Sequence, residues 1–272
     1  MLTKNISLKE LTLTITFLFF ATIVYSQSIY QKYFEQFNIS GSTTIYDYKK
    51  QKWIFTDSID AKRETVPAST FKIINSLIAI EENAIKDEYE TLKWDGIERT
   101  FFGTKMPSWN KDTDLKTAYK NSTIWYYVEM AKRIGTTKYK HYLKKCNYGN
   151  LTFSEKGTDF WNYGDYGINP KNQIEFLVKL YENKLPFSKT TINKVKQIMI
   201  SEKDNGIIFR DKSGWTKKNG TDIGWWIGYV ETANDIFFFA TRLIKKVNDN
   251  NPDFSKARIE ITKAILKDLN AI

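Results

Sequence analysis

The sequence predicts an α+β fold, with an antiparallel sheet drawn from both ends of the chain, helices flanking it and a mostly helical stretch inserted between the two ends. Three observations lead there. NISGSTTIYDY and QKWIFTDS, within 38–58, alternate apolar and polar residues around a turn at Lys49-Lys50. Residues 84–190 carry helical periodicities and loops. From Gly206, the segments GIIFRDKSGWT, IGWWIGYVET and NDIFFFATRLI are rich in aromatic and β-branched residues, so they read as three consecutive strands.

In chain order, Lys4 and Lys9 precede an apolar run from Leu11 to Val24, followed by Val24-Tyr25-Ser26 and Gln27. The run is nearer a signal core than the ~20 residues of a spanning helix, so an export signal is expected over 1–26, an uncleaved anchor being the alternative. After the first hairpin, VPASTFKIINSLIAIE has Phe71, Ile74, Leu77 and Ile78 at helical spacing behind Pro67. NSTIWYYVEMAKRIG repeats that spacing through Ile124, Tyr127, Val128, Ala131 and Ile134, with Asn121 or Ser122 as cap. Asn169-Pro170 opens another helix, through Leu180. Asp253 to Leu269 reads as a closing amphipathic helix.

Composition narrows the chemistry. The chain has 272 residues and a net charge of +10, but its lysines are interleaved with acids, a solvated surface more than a nucleic-acid footprint. Cys146 is the single cysteine, so no intrachain disulfide forms. His141 is the single histidine, and one His with one Cys cannot build the usual zinc sites. His141 lies in the basic run KYKHYLKK, so a hydrolase here needs a base other than histidine.

Ser69-Thr70-Phe71-Lys72 matches S-x-x-K, a serine nucleophile served by a lysine. Ser108-Trp109-Asn110-Lys111 matches too, but without a helix start or apolar stripe. Lys72 lies among Phe71, Ile73 and Ile74. Desolvation there favours the neutral amine, which can act as a base or take up CO2 as a carbamate. Ser69 at a helix start has unpaired N–H groups around it, suited to an oxyanion; its alternative role is a cap. Lys212-Ser213-Gly214 is a variant of K-T-G, able to hold an anionic substrate group, with glycine permitting close approach. Ser122 is either a proton relay or a helix cap.

These elements resemble the class D, oxacillinase-type, serine β-lactamases. The resemblance spans Ile39 to Leu269 through PASTFK (67–72), LKWDG (92–96), Met106 with Trp109, Asn121-Ser122, AKRIG (131–135), NYGN (147–150), Phe160-Trp161, QIEFLVKLYENKLPFS (173–188), KSGW (212–215) and GWWIGYVE (224–231). It implies a penicillin-binding/serine β-lactamase fold over 27–272, as one catalytic domain with a helical subdomain at about 84–190. By that resemblance Ser69 is acylated and Lys72 is N-carboxylated as general base. Trp161 donates a hydrogen bond to the carbamate, and Ser122 passes a proton to the lactam nitrogen. The backbone N–H groups of Ser69 and Trp215 form the oxyanion hole. Lys212, Ser213, Gly214 and Arg258 meet the substrate carboxylate end, with Arg242 as the rival arginine. Met106, Ile124 and Tyr148 join the substrate-binding set, Tyr148 and Asn150 being equally suited to a structural role. Phe71, Ile124 and Tyr127 give the carbamate an apolar shell.

Three departures stand out: Ile124 for the valine of S-x-V, Ser213 for threonine, and Asn162 where many relatives carry leucine beside the deacylating water. The resemblance further implies a small-molecule β-lactam as partner and no cofactor beyond CO2 or bicarbonate. The expected protein is periplasmic or secreted, a monomer or homodimer without a membrane span once the signal is cleaved. The alternative function is a β-lactam sensor that is acylated without turnover.

Overall fold

The computed structural model describes residues 29–153 and 158–272, so the expected export signal lies outside the described residues. A six-stranded antiparallel sheet runs β2-β1-β8-β7-β6-β5. Its strands are β1 (Ser40–Asp47), β2 (Lys52–Phe55), β5 (Ile200–Asp204), β6 (Ile207–Lys218), β7 (Thr221–Glu231) and β8 (Ile236–Lys246). The N-terminal β1 lies against the C-terminal β8 in continuous register, from Ser40↔Ile244 to Asp47↔Phe237, so both chain ends share one sheet as expected. Between them a short hairpin, β3 (Thr100–Phe101) and β4 (Thr104–Lys105), stands apart from the main sheet.

The strand alternation decides which face each helix covers. In β7, Trp225, Ile227 and Tyr229 face one apolar cluster, while Trp226 and Val230 face the other. Residues 222–230 are buried throughout because helices cover both sides. On one face lie α8 (Phe254–Asp268), through Phe254, Ala257, Ile261 and Ile265, and the helical stretch α1 (29–36), through Tyr30 and Phe34. On the other lie α2 (Lys72–Glu81) and α6 (Pro170–Tyr181). Every residue of α2 from Lys72 to Ala79 is buried, the mark of a helix packed on all sides.

The helical insertion also holds α3 (Leu115–Asn121), α4 (Ile124–Ile134) and α5 (Thr136–Cys146), and α7 (Lys189–Ile198) follows α6. Asn169 caps α6 by accepting from the Asn172 N–H at 2.8 Å, with Pro170 in the first turn, as the dipeptide predicts. The expected cap of α4 is corrected. Its N-cap is Thr123, which makes no side-chain cap bond, and Ser122 instead ends α3 at φ 55° in the left-handed region. The cause is α3 itself, capped by Asp114 through the Thr117 N–H and running on to Asn121. The run KYKHYLKK is also more than surface: it lies in α5, which buries Tyr139, Leu143 and Cys146 and leaves His141 exposed.

Candidate active site

The segment entering α2 is not α-helical at its start. Ala68 to Phe71 form a 3-10 turn, and Lys72 begins the α-helix. In a 3-10 turn, side chains three residues apart eclipse, so Ser69 stands over Lys72. Lys72 Nζ donates to Ser69 Oγ at 2.8 Å. Neither the turn nor the helix shows a side-chain cap bond, so the hydroxyl of Ser69 faces the amine and does not cap α2. Lys72 is fully buried, and burial holds its amine well below the ordinary lysine range. Lys212 presses the same way, while Asp159 opposes.

The walls around that amine are aromatic. The Tyr127 ring of α4 lies 5.0 Å from Lys72 Nζ. Trp161 is fully buried and stacks on Phe71 at 5.0 Å with planes 4° apart. Its indole N–H has no hydrogen-bond partner among the described residues. A buried donor left unpaired costs about 1–3 kcal/mol, so its presence calls for an acceptor at this place. Asn162 is nearly buried; its side-chain Nδ2 donates to Asp159 Oδ1 at 2.5 Å and its backbone carbonyl accepts from Thr216 Oγ1 at 2.8 Å.

Strand β6 closes the site from the sheet side. A Cβ on Gly214 would lie 3.1 Å from both the Pro67 carbonyl and the Ser69 N–H nitrogen, so glycine lets β6 reach the turn. Lys212, nearly buried, donates to the Ser213 carbonyl at 3.0 Å and lies 5.5 Å over the Tyr119 ring. Burial pulls its amine down to about 7; Asp211 opposes that and Arg258 adds to it. Trp215 donates from its indole to Asp222 Oδ1 at 2.7 Å and packs against Phe101, Phe102 and Phe254.

The two rival arginines separate clearly. Arg258 Nη1 donates to the Gly214 carbonyl at 2.9 Å, beside Ser213, and its Nε has no partner among the described residues. Arg242 is buried in an ion pair with Asp60 and donates to the Arg63 carbonyl at 2.7 Å and to Thr65 Oγ1 at 3.2 Å. Arg258 Nη2 also donates to Ser255 Oγ at 3.1 Å, which leaves Nε as its unpaired donor near β6, whereas Arg242 is committed to the segment leading to the turn.

Of the other expected substrate contacts, Met106 lines a cleft of about 560 Å3 with Phe101, Phe102 and Trp215. Ile124 lines another, of about 790 Å3, with Trp109, Trp125 and Tyr163. Ser122 is half-buried between α3 and α4, and its left-handed backbone is a costly one for serine. Tyr148 lies elsewhere: it is 1% exposed, packed beneath Phe71 and Phe176, with its hydroxyl on Gln173. Asn150 ties the loop together, donating to Glu64 Oε2 and the Asp165 carbonyl and accepting from the Gly167 N–H. Sequence reasoning passed over Tyr119 under Lys212 and Gln173 behind the turn.

The serine-lysine pair, a K-S-G strand against it and an arginine at its end form a constellation with parallels among known proteins. Residues 30–270 match the penicillin-binding protein transpeptidase domain. The chain is 37% identical over 248 residues to the β-lactamase OXA-2 of Salmonella typhimurium, covering 90% of this chain and 86% of that one. A class D β-lactamase structure from Sebaldella termitidis superposes with a TM-score of 0.84 at 42% identity, over 89% of this chain and 96% of that one. The regulatory protein BlaR1 of Bacillus licheniformis is 34% identical over 215 residues, 79% of this chain and 35% of the regulator. Likeness over nearly the full length, in sequence and in fold, places this chain in the class D β-lactamases.

Proposed function

We propose that the protein hydrolyses the amide of penicillin-type β-lactams through an acyl-enzyme on Ser69. The observation that carries this reading is the 2.8 Å contact of Lys72 Nζ with Ser69 Oγ, in a buried pocket that disfavours the charged form of the amine. The same pocket suits CO2: burial disfavours the charged form of the amine, and the pocket offers an apolar shell and the unpaired indole N–H of Trp161. CO2 carried on Lys72 supplies a carboxylate base to the site.

The chain's own residues do the rest. Ser69 Oγ attacks the lactam carbonyl and gives its proton toward Lys72. The Ser69 and Trp215 N–H groups receive the oxyanion. Ser122 passes a proton to the lactam nitrogen as the ring opens. Lys212, Ser213 and Arg258 hold the substrate carboxylate. A water approaching from the Lys72 side, bordered by Asn162, then releases the acyl group. The mature enzyme is residues 27–272, exported to the periplasm or the medium.

The test is turnover of a chromogenic cephalosporin by purified protein, with and without bicarbonate. Sustained hydrolysis that bicarbonate increases is expected. A stoichiometric burst with no turnover in bicarbonate-rich buffer would overturn the hydrolase reading and make the protein a β-lactam sensor.

A further inference from the structure

Three buried side chains outside the lysine-serine chemistry form one hydrogen-bonded line behind the nucleophile. Thr70 Oγ1 lies 2.7 Å from the Pro67 carbonyl, which can only accept, so the threonine hydrogen goes there. Thr70 is then an acceptor for its other neighbour, and Gln173 Nε2 donates to it at 2.9 Å. That fixes the amide orientation: Gln173 Oε1 faces Tyr148, whose hydroxyl donates at 3.0 Å. Thr70 and Gln173 are fully buried and Tyr148 is 1% exposed. Every donor along the line points toward Pro67.

The far end of the line is anchored. Tyr166 donates to the Tyr148 carbonyl at 2.7 Å, and a Cβ on Gly149 would lie 2.6 Å from the Tyr166 hydroxyl. The near end meets a strained segment. Ala68 sits at φ 51°, held by its N–H to the Trp161 carbonyl at 2.9 Å. The turn stays 3-10 through Phe71, which is what brings Ser69 over Lys72. Relaxing it to an α-turn would rotate one side chain from the other by about 60° and open that contact.

We infer that Gln173, acting through Thr70, is a positioning residue for the nucleophile: the line from Tyr148 locks the 3-10 turn and so sets Ser69 Oγ against Lys72 Nζ. The inference rests on Ser69 being the nucleophile. It gives the tyrosine of the Y-G-N loop a task at a distance, as the anchor of that line. All three groups are buried behind the turn.

The experiment compares wild type with Thr70→Val, which keeps the shape and removes the hydroxyl, with Thr70→Ser, which restores it, and with Gln173→Met. Acylation by a fluorescent penicillin is followed to saturation, and rates are expressed per competent site from the labelling endpoint, which removes any misfolded fraction. Thr70→Val and Gln173→Met are expected to slow the saturated acylation rate by about 10–100-fold, the scale of a misplacement near 1 Å. The half-saturating concentration stays within about threefold, and Thr70→Ser stays near wild type. A wild-type rate in Thr70→Val, or a Thr70→Ser variant as slow as the valine, overturns the inference. If the wild type itself is not labelled, it is the β-lactam reading that falls. Amide hydrogen exchange at Ser69 to Phe71 then decides the inference: faster exchange in Thr70→Val and Gln173→Met supports it, and unchanged exchange overturns it.

Discussion

Replacing Trp161 by phenylalanine removes a buried donor that has no partner among the described residues. The indole N–H is fully buried with no partner among the described residues, while its ring stacks on Phe71 beside Lys72. An unpaired buried donor costs about 1–3 kcal/mol, and a hydrogen bond to a charged acceptor contributes about 1.5–3 kcal/mol. On the proposed mechanism Trp161 favours a carboxylated Lys72 over the free amine by about 1.5–3 kcal/mol, or about 10–100-fold at 1.4 kcal/mol per decade. Phenylalanine keeps an aromatic ring against Phe71 and removes the donor from both states. The assay is hydrolysis of a chromogenic cephalosporin titrated with bicarbonate in degassed buffer. The bicarbonate concentration giving half-maximal activity is expected to rise by about 10–100-fold, with the plateau reached only at high bicarbonate. Bicarbonate is also expected to raise the Tm of the wild type more than that of the variant, because it binds the folded state alone. A half-activating concentration within threefold of wild type would refute the reasoning.

Three further outcomes follow from the geometry. Arg258→Ala removes the cation beside Gly214 and is expected to raise KM for β-lactams about tenfold with a near-normal Tm, whereas Arg242→Ala takes from buried Asp60 its buried cation, leaving Ser42 and the more distant Arg63, and is expected to cost about 3 kcal/mol of stability, read by denaturant unfolding. Burial holds the Lys212 amine at about 7, so it carries its charge below that pH and loses it above. kcat/KM is then expected to fall on the alkaline side from about pH 7, and the kcat limb to lie higher because a bound carboxylate favours the protonated amine. On the acid side activity falls as the carbamate on Lys72 is protonated and loses CO2, so a profile flat to about pH 5 contradicts its role. Gly214→Ala brings a methyl to 3.1 Å from two backbone atoms of the turn and is expected to slow acylation while costing about 1–3 kcal/mol, checked by penicillin labelling and thermal unfolding.

What could be read from the sequence follows from how strongly each element is patterned. β7 and β8 announce themselves because both faces are covered and aromatic residues fill them, and β6 because its burial alternates along the strand. α2 shows through Ile74, Leu77 and Ile78 at helical spacing. α5 was hidden because lysines dilute Tyr139, Leu143 and Cys146, and β5 because an edge strand of sequence ISEKD has almost no buried side. Ser122 was misread as a cap of α4 because a left-handed serine has no sequence signal. In the site, the residues with distinctive chemistry, Ser69, Lys72 and Lys212, were legible in short motifs. The choice between Arg258 and Arg242 was not, since both lie in plausible C-terminal segments and only packing separates an arginine with an unpaired Nε from one in a buried ion pair. Gln173 was invisible for the opposite reason: a glutamine in the first turns of a helix reads as surface, and only the fold buries it against Thr70.

The central claim is that Lys72 works as a base carrying CO2 next to Ser69, and carbon-13 NMR of the protein in labelled bicarbonate tests it directly. One protein-bound carbamate signal is expected, absent from Lys72→Ala and lost on acidification together with hydrolysis. Full-rate hydrolysis of a β-lactam by a sample showing no such signal would contradict the account.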